Sequence, residues 1–89
     1  MSRTRSEIFT KRIADIMVKP CGQEHVTLGY FTAAKPAKGF AIELHAKQPI
    51  DESVVAEIMN IGTDSKYRLV LSIANYSDAA VQAKVWGMP

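Results

Sequence analysis

The chain has a single cysteine, a single tryptophan and five glycines in 89 residues. It has no apolar run near the ~20 residues that a membrane-spanning helix needs. Cys21 alone excludes an internal disulfide, so the fold rests on its core. Small secreted domains usually carry several paired cysteines, which favours a reducing, cytoplasmic setting. Residues 1–5 are basic, but no continuous apolar stretch follows them, so they do not read as a secretory signal. The glycines are scattered and build neither G-x-G-x-x-G nor G-x-x-x-x-G-K, which removes the usual phosphate-cradling loops. A net charge of +2 makes no strong demand for a polyanionic partner.

Reactive constellations are scarce too. His25 lies four residues from Cys21, but no third group is placed to orient a thiolate–imidazole pair, and Cys21 reads as a half-buried space-filler. His25 and His45 are separate singles, and with one cysteine they form no zinc set. Ser72 and Ser77 lack the glycine flanks of a nucleophile elbow. These absences predict a non-enzymatic protein with no cofactor and no metal.

What is present is an ordinary globular composition, 47% hydrophobic and 22% charged, of a size for one domain over 1–89 with 1–5 as a flexible basic arm. A pattern occurs twice: a helix-like segment, then two alternating ones. Thr4 and Glu7 have capping-box spacing, and Phe9, Ile13, Ile16 and Met17 fall on one helical stripe that Pro20 and Gly22 end. Asp51 suits an N-cap, Ile50 and Val55 suit a hydrophobic staple, and Val54, Val55, Ile58 and Ile61 form a second stripe closed by Gly62. Two helices are therefore expected. Alternation at period two predicts strands over 26–32, 40–47 and 67–75. Over 78–87 the period again favours a strand, with Val81, Ala83 and Val85 on one face, while the alanines favour a competing helix.

The resulting order, αββαββ, predicts an α+β domain: an antiparallel four-stranded sheet with both helices on one face, a permuted ferredoxin-like arrangement. The other sheet face is then open and carries Phe31, Glu43, His45, Lys47, Arg68, Val70, Ser72, Tyr76, Gln82, Lys84 and Trp86. Tryptophan, tyrosine and arginine anchor protein interfaces. The favoured reading is a binding or regulatory protein that self-associates, as a dimer, or modulates a larger protein partner through Phe31, His45, Lys47, Arg68, Tyr76, Lys84 and Trp86. The competing reading is a nucleic-acid-binding protein using Arg3, Arg5, Lys11, Arg12, Arg68 and Lys84, since aromatics beside cations can stack bases and hold phosphates. The bland reading has Phe31 and Trp86 covering sheet edges.

Overall fold

Strict alternation is clearest in the last strand, where Val81, Ala83, Val85 and Gly87 are buried and Gln82, Lys84 and Trp86 are only half-buried. Strand is the only regular secondary structure among the described residues. The computed structural model describes residues 8–88 and places them in six strands. These are β1 (Lys11–Val18), β2 (Gly22–Thr32), β3 (Phe40–His45), β4 (Val54–Gly62), β5 (Lys66–Asn75) and β6 (Val81–Gly87). They form two antiparallel three-stranded sheets, one ordered β1-β6-β3 and the other β2-β5-β4. The capping-box pair Thr4 and Glu7 lies outside the described residues.

This overturns the α+β expectation, because among the described residues there is no helix. The segment expected to be the first helix is β1. Its ladder with β6 slips between Arg12 and Ala14, a bulge that breaks the two-residue period. Past the bulge Ala14, Ile16 and Val18 share a face, and the extra residue Ile13 also packs on the core. The helical stripe read from the sequence, Phe9, Ile13, Ile16 and Met17, mixes the two faces of the strand, since Ile13 and Ile16 pack on the core while Met17 stands exposed opposite Gln82. The second expected helix is β4, which imitates one for another reason. Its apolar residues lie on both faces, Val54 and Ile58 on one and Val55, Met59 and Ile61 on the other. Both segments are rich in β-branched side chains, which strands accommodate better than helices.

The two sheets stack with their apolar faces together. Val18, Ala83 and Val85 of one sheet meet Leu28, Leu71 and Ile73 of the other, with Ile42, Leu44 and Val26 packed around them. Of the segment 78–87, Val81–Gly87 is strand and not helix, with alternate residues supplying the centre of their sheet, while 78–80 belong to the preceding turn.

One polar side chain joins the layers. Asn75, fully buried at the end of β5, donates through Nδ2 to the carbonyls of Val18 (3.2 Å), Lys19 (3.2 Å) and Ala79 (2.8 Å). Its Oδ1 accepts from the backbone N–H (3.0 Å) and hydroxyl (2.6 Å) of Ser77. The amide thus ties the β1–β2 turn to the β5–β6 turn.

Two turns are set by their own chemistry. Between β1 and β2, Gly22 N–H donates to Lys19 O at 3.0 Å with Pro20 at the first central position. Cys21 follows with φ of 57°, a left-handed conformation that non-glycine residues rarely adopt. Cys21 is exposed there, not a half-buried space-filler. Asp51 does use its capping chemistry, but to open a strand. Its Oδ1 accepts from Ser53 N–H (2.9 Å) and Ser53 Oγ–H (2.6 Å) just before β4. The Ser53 hydroxyl, then its amide, stabilise the carboxylate and hold the pKa of Asp51 below the ordinary aspartate value.

Candidate binding surfaces

Three surfaces follow from this arrangement: the outer face of the β1-β6-β3 sheet, the free edge of β4, and the end of the molecule where β1 and β3 begin and β2 finishes.

The outer face of the first sheet holds Trp86. In register, Arg12, Trp86 and Ala41 form one cross-strand row, Asp15, Lys84 and Glu43 the next, and Met17, Gln82 and His45 the third. Trp86 Nε1–H donates to Glu43 Oε1 at 2.9 Å, and the Arg12 guanidinium lies 4.3 Å from the centroid of its ring. Arg12 also pairs with Asp15 at 3.2 Å, and Gln82 Nε2 donates to the other Asp15 oxygen at 2.9 Å. This network laces β1, β6 and β3 together across their outer surface. Each such exposed contact is worth only about 0.2–1 kcal/mol. Trp86 and Arg12 are therefore engaged within their own sheet.

The single open face expected from the sequence does not exist. Its residues divide between opposite sides of the molecule. Glu43, His45, Gln82, Lys84 and Trp86 lie on the outer face of one sheet, and Arg68, Val70 and Ser72 on that of the other. Phe31 points inward instead. Its ring lies against Phe40 (centroids 6.3 Å apart) and Tyr67 (5.7 Å) and closes one end of the core. Lys47 lies in the β3–β4 connection and Tyr76 just past β5, both exposed. Of the nucleic-acid candidates, Lys11 and Arg12 open β1, Arg68 lies near the start of β5, and Lys84 sits in mid-sheet. Arg3 and Arg5 lie outside the described residues. Cys21 and His25 are separated by about 13 Å of extended backbone at ~3.3 Å per residue, which parts any thiolate–imidazole pair. Among the described residues no group of three His, Cys, Asp or Glu side chains is placed to hold a metal.

Sequence reasoning missed the β4 edge altogether. The bonds that flank β4 fix which groups face outward. Tyr76 N–H donates to Ser53 O (2.8 Å) and Thr63 N–H to Lys66 O (2.9 Å), and the register between them is unbroken. Odd-numbered residues therefore bond to β5. Ala56, Ile58 and Asn60 direct their N–H and C=O groups away from the sheet. The same strand exposes 48% of Val55, 43% of Ile58 and 41% of Ile61.

The other edges are blunted. β1 has the bulge described above, β2 has a second one between Thr27 and Gly29, and β3 is only six residues long. β4 runs nine residues with no bulge and no proline, and Glu57 is its only charge. It lacks the devices by which edge strands normally avoid pairing.

The third surface is electrostatic. Lys11, Arg12, Lys35, Lys38, Lys66 and Arg68 gather at one end, where the nearby acids among the described residues are Asp64 and Asp15, the latter paired with Arg12. At the other end Glu24, Asp51, Glu52 and Asp78 outnumber Lys19 and Lys47. The small net charge conceals this separation, because segments distant in sequence are brought together only by the topology.

Fold and surfaces together define a small all-β domain of two stacked three-stranded sheets with a bare strand edge and a basic end. Comparison with protein-family models, with curated proteins and with solved structures returns no match to this chain. Among the described residues no helix is long and apolar enough to cross a membrane.

Proposed function

We propose that this chain is a non-enzymatic protein-binding module that works by self-association, adding β4 of a second copy to its own β4. The carrying observation is that β4 alone among the edges is long, regular and apolar. Its outward N–H and C=O groups are the template that strand addition uses.

The sequence of β4 selects a register. With Ile58 opposite its own copy, Ala56 pairs with Asn60 and three residues on each chain exchange backbone hydrogen bonds. Glu57 then faces Met59 of the second copy, and Val55 faces Ile61. Sliding the strands by two residues sets Glu57 against Glu57, a like-charge pair that cross-strand energetics disfavour. The product is a two-fold, six-stranded sheet, a closed assembly. Nine residues at ~3.4 Å each give a contact about 30 Å long. A strip of that length and roughly 10 Å across covers about 300 Å² per partner, below the ~800 Å² of stable complexes, so the association is reversible and concentration-dependent. A cytoplasmic location belongs to the same proposal and is supported by the lone, exposed, unpaired Cys21.

Sedimentation velocity and light scattering from low to high micromolar concentration test this reading. Wild type should shift from monomer to dimer across that range. Ala56→Pro removes an outward N–H without touching the β5 ladder and should stay monomeric and folded. Val55→Lys, which adds a charge at an exposed position, should do the same. A wild-type chain that remains monomeric at high micromolar concentration overturns the proposal.

A further inference from the structure

The basic end is not a flat charged patch. Between the two sheets opens a cleft of about 510 Å³, floored by Ile13, Leu28, Phe31 and Phe40. Lys11 and Lys35 stand on its rim. Beside it, on the outer side of β2 and β5, lies a second depression of about 310 Å³ that includes Lys66 and Arg68. Tyr30 lines both hollows, stands opposite Arg68 in the β2–β5 register and is 78% exposed. Among the described residues no acid lines either hollow.

We infer that this end binds single-stranded nucleic acid, with the phosphates tracking over Lys11, Lys35, Lys66 and Arg68 and a base stacked on Tyr30. Two cationic hollows joined by one exposed aromatic ring form a path, which fits an extended polyanion carrying planar groups better than a small anion. An exposed tyrosine costs solvation in the free protein, and stacking against a base covers it. Lys11, Lys35, Lys66 and Arg68 form no ion pair among the described residues, so their charge is available to phosphate. Arg12 is already held by Asp15 and the Trp86 ring, and it contributes field more than contact. The path departs from the sequence-based nucleic-acid reading in dropping Lys84, which lies in mid-sheet between Asp15 and Glu43.

The test is fluorescence anisotropy with a short labelled oligouridylate, titrated with salt. Four phosphate contacts on a single strand give a log–log slope of about −3, from ~0.7 counterions released per contact. Tyr30→Ala should weaken binding about 5- to 150-fold, the range for loss of one base–aromatic stack. Tyr76→Ala removes a tyrosine that is 71% exposed at the opposite end and should change nothing. Lys35→Glu should weaken binding at least about tenfold, while Lys47→Glu, with the same change in net charge, should have little effect. The inference is overturned if the oligomer fails to bind at low salt, or if the paired variants behave alike. It is also overturned if a duplex of the same length binds as tightly, or if uridine monophosphate competes as well as the oligomer.

Discussion

Replacing Asn75 tests whether one buried amide holds the two turns together. Its two amide protons serve three carbonyls, so one proton is shared, and its oxygen accepts two further bonds from Ser77. At about 1 kcal/mol net for each satisfied group, with more where a buried carbonyl is left bare, Asn75→Ala should cost about 3–4 kcal/mol. A chain of 89 residues has roughly 4–13 kcal/mol of stability in all, so the variant should be folded but marginal. Asn75→Asp is the sharper probe. It keeps an acceptor for Ser77 but sets a second oxygen where Nδ2 lay 2.8–3.2 Å from three carbonyl oxygens. Burial and those carbonyls disfavour the ionised form, so the introduced carboxyl has a folded-state pKa above its unfolded value near 3.9. The native state then binds the proton more tightly than the unfolded chain does. Stability of this variant should therefore be greatest below about pH 4 and fall as pH rises through the raised pKa, relative to wild type. Urea unfolding followed by fluorescence of Trp86, the only tryptophan, at several pH values measures both effects. A loss below about 1 kcal/mol in Asn75→Ala, or a wild-type pH slope in Asn75→Asp, would refute the reasoning.

Two turn positions give predictions of opposite sign. Cys21→Gly relieves a left-handed conformation that costs about 1–2 kcal/mol and loses roughly 0.5–1 kcal/mol to unfolded-state entropy, so it should stabilise. A melting temperature raised by about 3–6 °C is expected, and an unchanged or lowered one counts against it. Gly62 has φ of +135°, and a Cβ there would lie 2.5 Å from Lys66 O and 2.8 Å from Tyr67 Cα. Gly62→Ala should cost at least about 2 kcal/mol by urea unfolding, since both obstacles are backbone and cannot swing aside.

Strands β3, β5 and β6 were legible because alternate residues such as Phe40, Ile42 and Leu44, or Leu69, Leu71 and Ile73, line the core. β2 was legible as a strand although its bulge at Thr27–Gly29 turns Phe31 inward and Tyr30 outward. β1 and β4 were not, for local reasons. The bulge at Arg12–Ala14 inserts one residue and shifts the phase, and β4 carries apolar side chains on both faces. A helix period arose in each from a disrupted or doubled strand period. The density of isoleucine and valine was the signal that pointed the other way. The alternation of β6 turns Trp86 outward, but its partners Arg12 and Glu43 lie 74 and 43 positions away and are set by strand order alone. The basic end was hidden for the same reason. Lys11, Lys35 and Lys66 are far apart in sequence and meet only because the strands that carry them end together.

Strand order also dictates when the molecule can be assembled. β6 is the middle strand of its sheet, and β1 and β3 touch no common neighbour except through it. A chain growing from its N-terminus holds β2, β4 and β5 by Asn75, enough for one complete sheet, while β1 and β3 wait for Val81–Gly87. Until then the apolar inner face around Leu71 and Ile73 lacks its cover. Pairing Lys11 with Gly87 closes nearly the longest loop this chain can close, which places folding among the slow, non-local cases. β6, the latest of the described strands to be synthesised, is thus the keystone, and anything that delays it prolongs exposure of a sticky half-sandwich.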